Sequence, residues 1–92
     1  MRRLLVYCDT DDIVTLLSTL VTLADEVISI TPALHALATE MKPVSVVELL
    51  KDRLPHPGSI IVAEVSAAAG DADGNEARAL LLLSVIKGPW PA

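Results

Sequence analysis

Phenylalanine is absent from this 92-residue chain, and its aromatic residues are limited to Tyr7 and Trp90. Hydrophobic residues still make up 52% of it, so any core must be aliphatic, built from Leu, Val, Ile and Ala. A single cysteine, Cys8, excludes an internal disulfide and leaves no CxxC metal pattern. Cations are scarce too: seven Lys and Arg stand against twelve Asp and Glu, a net charge of −5. Only Arg2 and Arg3 are adjacent, whereas affinity for nucleic-acid backbones needs clustered cations. Nucleic acid is therefore not the expected partner. No apolar run approaches the ~20 residues of a membrane helix. Met1-Arg2-Arg3 before Leu-Leu-Val-Tyr imitates a signal peptide, but Asp9, Asp11 and Asp12 cut the apolar region short. The expectation is a soluble cytoplasmic protein with no membrane partner. Residues 1–92 read as one domain, with residues 87–92 a C-terminal tail.

What is present falls into a regular order. Arg3 to Cys8 is a short apolar run that fits a central strand buried on both faces. Asp9-Thr10-Asp11-Asp12 opens a helix, with Asp9 or Thr10 as N-cap and acids in the first turn. Ile13, Leu16, Leu17, Leu20, Ala24 and Val27 make its apolar stripe, and Thr15, Ser18, Thr19, Thr22 and Asp25 its outer side. Glu26 to Thr31 alternates and is rich in β-branched residues, a second strand. After Pro32-Ala33, Leu34 to Met41 returns as a third strand, although its Ala, Leu and Glu also suit a short helix. Ser45-Val46-Val47-Glu48 reads as a capping box, with Val44 and Leu49 as its hydrophobic staple. That helix runs to about Leu54, where Pro55 ends it.

The stretch from Ser59 to Lys87 has two readings. With Ala72-Asp73-Gly74 as a turn, Gly74 at positive φ, it folds into a β-hairpin. Ile61, Ala63, Val65 and Ala67 then share an apolar face with Ala79, Leu81, Leu83 and Val85. Alternatively, Glu76 to Lys87 is a helix capped by Asn75 and stopped by Gly88-Pro89. Such a helix is apolar on nearly every side and needs burial all round. The hairpin is the preferred expectation.

The resulting class is α+β: a ferredoxin-like βαββαβ arrangement with an added C-terminal strand completing the hairpin. Both helices cover one face of the sheet. The other face is left with Val62, Leu80 and Leu82, and an apolar face of that kind finds a partner. A homodimer through these residues is expected, with Trp90 docking on its own domain or anchoring a protein partner.

Two runs carry a family resemblance: Leu4-Leu-Val-Tyr-Cys-Asp9 with Asp11-Asp12 ahead of a helix, and Val46 to Leu54 followed by Ser59 to Val65. In these the chain resembles the small ferredoxin-like proteins of the CRISPR adaptation nuclease and virulence-associated protein D group. The resemblance implies an Asp closing the first strand, Asp9 here, that binds a divalent metal at a dimer interface and acts on nucleic acid. Cys8 separates Tyr7 from Asp9 where that group has Tyr-Asp directly, and the group's basic surface is missing.

Each candidate site has a plain structural counterpart. Asp9, Asp11 and Asp12 can supply oxygen ligands to Mg²⁺, or simply cap the helix and complement its dipole. Asp71, Asp73 and Asn75 suggest a calcium loop, but the glycine comes too early and Leu82 stands where Glu is required, so they read as a turn. Cys8 is a nucleophile only beside a base, and His35 and His56 are the sole histidines; a buried inert thiol is the simpler reading. The expected function is a small acidic dimerising protein-binding module, non-enzymatic and without cofactor, that regulates or inhibits a larger complex. The alternative is a Mg²⁺-dependent nuclease working through Asp9, Asp11 and Asp12, or an inactive relative of one.

Overall fold

Strand β1 (Arg2–Cys8) alternates strictly: Leu4, Val6 and Cys8 are fully buried on one face, while Tyr7 between them is exposed. The computed structural model describes residues 1–56, 58–66, 79 and 82. After β1 come α1 (Ile13–Leu23), β2 (Glu26–Ser29), β3 (Leu34–Thr39), α2 (Pro43–Arg53) and β4 (Ile60–Glu64). The protein is a small α+β structure, and its described residues form a four-stranded sheet in the order β2-β3-β1-β4, every neighbouring pair antiparallel. As expected, β1 is central, and the segment from Leu34 is a strand; burial of β1 on both faces is not found, since Tyr7 is exposed and Leu5 only partly covered.

One face of the sheet carries the main core. Leu4, Val6, Cys8 and Leu37 pack with Leu16 and Leu20 of α1, Val46 and Leu50 of α2, and Leu54 just after it. On α1 the fully covered residues are Leu16, Thr19 and Leu20, one turn of a 3.6-residue stripe. Thr19, expected outside, is buried because its hydroxyl closes on the Thr15 carbonyl at 2.8 Å and needs no water. The helix stops at Leu23 rather than reaching Val27, which joins β2. There the Thr39 hydroxyl donates to the Leu23 carbonyl at 2.7 Å, and Ala24 turns extended.

Three expected details are corrected by longer-range geometry. The N-cap of α1 is Asp12, not Asp9 or Thr10. In α2 the helix starts at Pro43, so Ser45 lies within its first turn and no capping box forms; Lys42 is the N-cap and makes no side-chain bond. Proline at the first turn needs no donor there and is pre-set for helical φ. Val44 is 63% exposed, which rules out a staple with Leu49. Finally, β4 presents the opposite face from that expected. Its register places Val62 opposite Val6 and Ile60 opposite Cys8, so both join the helix-covered core, while Ile61 is 62% exposed.

The second face of the sheet is partly covered. Ile28 and Ala36 are buried there with Ala79, and Leu5, Ile30, Val65 and Leu82 pack against them. Ala79 and Leu82 have helical backbone, which corrects the strand expectation at those two positions. Ala and Leu favour helix, and Ala79 finds its burial on the sheet rather than all round. The turn at Asp71–Asn75 with Gly74, the pairings of Leu81, Leu83 and Val85, and the 87–92 tail lie outside the described residues.

A buried histidine pins the β2–β3 turn. His35 Nε2 lies 3.1 Å from the Pro32 carbonyl, and Nδ1 lies 2.9 Å from the Ser29 hydroxyl. A carbonyl only accepts, so Nε2 carries the proton and Nδ1 accepts from Ser29. Burial pushes the imidazole below its usual 6.5, against a smaller opposing effect of the Pro32 carbonyl. The unfolded chain therefore takes up the proton first as pH falls. The contribution of His35 is complete above about pH 6.5 and declines as pH drops from there through the folded-state value. In thermal melts from pH 7 to pH 5, wild type should lose stability on acidification and His35→Gln should show a shallower slope. Equal slopes would show that this ring does not titrate differently on folding.

Candidate functional site

The acidic segment after β1 was the first candidate. Asp12 is fully engaged as a cap: Oδ1 accepts from the Thr15 backbone N–H at 3.1 Å and Oδ2 from the Thr15 hydroxyl at 2.7 Å. These bonds, the hydroxyl first, hold its carboxyl below the usual carboxylate value. Asp9 is fixed through its backbone, its N–H donating to the Ser59 carbonyl at 2.9 Å. Gly58 sits against the Asp9 carbonyl at φ +64°. The Thr10 hydroxyl donates to the His56 carbonyl, tying the loop before α1 to the one before β4. Asp9 and Asp11 are exposed. Among the described residues, no three His, Cys, Asp or Glu side chains converge as a metal site. The segment works as a capped corner of the fold.

Cys8 is fully buried, and burial first, then the neighbouring Asp9 charge, pushes its thiol upward. A thiol held protonated is a poor nucleophile. Both ring nitrogens of His35 are engaged by Ser29 and Pro32, and His56 is an exposed loop residue. The His35 ring is thereby committed to the β2–β3 turn. Arg2 and Arg3, the only adjacent cations, alternate across β1: Arg2 opposes Thr39 and Arg3 opposes Ala38, so they point to different faces.

Of the expected interface residues, Val62 and Leu82 lie on opposite faces of the sheet. Val62 faces the helix-covered core, and Leu82 packs with Ala79 on the second face. Leu80 and Trp90 lie outside the described residues. A different surface stands out instead. Helix α1 has 11 residues, Ile-Val-Thr-Leu-Leu-Ser-Thr-Leu-Val-Thr-Leu, and none is charged. Val14 is 78% exposed and Val21 63% exposed. With the exposed Ser18 between them they follow i, i+4, i+7 spacing, one line along the helix.

The hydroxyls beside that line are turned inward on the backbone. Ser18 donates to the Val14 carbonyl at 2.6 Å, and Thr22 to the Thr19 carbonyl at 2.7 Å. They leave the helix surface nearly free of donors. A groove of about 220 Å³ runs alongside, lined by Thr15, Ser18, Thr19, Thr22 and Arg53, the last from α2. Sequence reasoning assigned the hydroxyl residues to the outer side but overlooked Val14 and Val21. The signal was the absence of any charge on a helix that must face water on one side.

No family model matches the chain, and no match was found among curated proteins or solved structures. The resemblance to the CRISPR adaptation nuclease and virulence-associated protein D group rests on the short runs quoted above and on the order of elements alone.

Proposed function

We propose that the chain is a protein-binding module, a small acidic α+β domain of ferredoxin-like arrangement that regulates or inhibits a larger assembly by docking through the outer side of α1. The strand order β2-β3-β1-β4 with a helix in each crossover supports that arrangement. The function rests on one observation: a solvent-facing helix without charge that exposes Val14 and Val21. A surface helix ordinarily sets charged or polar residues on its outer face. Self-association through Val62, Leu80 and Leu82 is not part of this reading, since Val62 and Leu82 are packed within the fold.

Magnitudes limit what the two valines do. Burying a valine fully contributes about 1.5–3 kcal/mol. Association costs on the order of 4–15 kcal/mol. The valines therefore anchor an interface and do not complete one. A photo-crosslinking residue at Val21 should capture a different protein in the source cell, and the same residue at Lys51 on α2 should not. Equal capture from both positions, or none from Val21, would refute docking through α1.

A further inference from the structure

The ends of α1 say what kind of partner its uncharged middle fits. Before the helix stand Asp9, Asp11 and Asp12; after it stand Asp25 and Glu26. Asp12 is committed to capping, while Asp9, Asp11, Asp25 and Glu26 are exposed. Eleven helical residues span about 16 Å. That exceeds the ~8 Å screening length at physiological salt, so the two acidic ends act as separate sites. The exposed residues of the helix between them are Val14, Ser18, Val21 and Thr22, uncharged and with both hydroxyls bonded to their own helix.

From this pattern we infer that α1 receives an amphipathic helix of another protein, one with an apolar stripe set between two basic ends. The inference rests on the protein-binding reading above and names the partner's chemistry. A second copy of this chain is the wrong occupant: aligned either way along α1, it brings Asp or Glu against Asp or Glu at both ends. The chain's own residues Ala79 and Leu82 pack on the opposite side of the sheet from α1. Lys or Arg at both ends of a partner helix meets both acidic sites at once, and its apolar stripe covers the valines. A helix suits the line of valines because i, i+4, i+7 ridges pack into the grooves of another helix. The Arg53 side of the groove is the one cationic border among its lining residues, which gives the partner a direction.

The test is a display library of helical peptides with a fixed leucine stripe, with Lys, Glu, Gln and Ser randomised at flanking positions about 12–16 residues apart. The full chain is the target, and Val14→Glu/Val21→Glu, confirmed folded by circular dichroism, is the counter-target. Peptides with Lys at both ends should be enriched at least tenfold over those with Glu and should lose at least tenfold in affinity for the counter-target. Asp11→Asn/Asp25→Asn should weaken them several-fold and flatten their salt dependence. Binders that need the valines but show no preference for basic ends would overturn this inference while leaving docking through α1 standing. No binder that depends on the valines would overturn both. A wild-type dimer in sedimentation that Val14→Glu/Val21→Glu dissociates would also overturn it, with a second copy as the occupant.

Discussion

Gly58→Ala should destabilise the protein by about 2–5 kcal/mol, read as a shift of the urea midpoint. Two independent costs combine. The residue sits at φ +64°, where an L side chain costs about 1–2 kcal/mol. A Cβ built there also runs into the carbonyl oxygen of Asp9, and that oxygen is backbone and cannot rotate away. Overpacking of that kind typically costs 1–3 kcal/mol, occasionally more. Relief requires moving the Asp9 peptide, which strains the bond from Asp9 N–H to the Ser59 carbonyl. Ser59→Ala next door, exposed and with its backbone bond intact, should change stability by less than about 0.5 kcal/mol. A loss below about 1 kcal/mol for Gly58→Ala would mean that the corner between β1 and β4 is looser than its geometry indicates.

Leu37→Ala is the second large effect. Leu37 is fully buried at the middle of the sheet, opposite Leu4 on one side and Val27 on the other. Truncating a buried leucine costs about 2–5 kcal/mol through lost transfer energy and the cavity left behind. Small domains hold only about 5–15 kcal/mol in total, so this variant should lie close to its unfolding midpoint at room temperature. Val14→Ala removes a side chain already in water and should shift stability by no more than about 0.5 kcal/mol. The pair separates what holds the fold from what α1 presents. Similar losses from both would place Val14 in a packed environment and remove the surface on which docking depends.

The order of elements was legible because it is local. The 3.6-residue stripe of Leu16 and Leu20, the β-branched run from Glu26 and the stop at Pro55 each act within a few residues. The face of β4 was not legible. Ile60, Ile61, Val62 and Ala63 are apolar at consecutive positions, so alternation gives no preference, and the face is decided by pairing with Val6 and Cys8 far away in sequence. The cap of α1 was ambiguous for a related reason: Asp9, Thr10, Asp11 and Asp12 all have capping chemistry, while in the fold the Asp9 N–H bonds to Ser59 and the Thr10 hydroxyl to His56, and Asp12 is the residue that caps. In the arm after Asn75 the hairpin argument sorted both strands cleanly, yet helix propensity prevails at Ala79 and Leu82. The candidate site was not legible because the apolar residues of the sequence cluster elsewhere. Two isolated valines on a chargeless helix carry a weaker local signal.

The central place of β1 has a consequence for synthesis on the ribosome. Its edges bond to β3 and β4, and its partners in β4 emerge about sixty residues after it. At about 5–20 residues per second, Leu4 and Val6 wait on the order of 3–12 s before their second neighbour exists. A strand this apolar, without its neighbours, is the form of the chain most exposed to chaperones and to aggregation. Completion of the sheet is thus tied to the clearance of Glu64 from the exit tunnel, whatever the speed at which β2 and β3 pair.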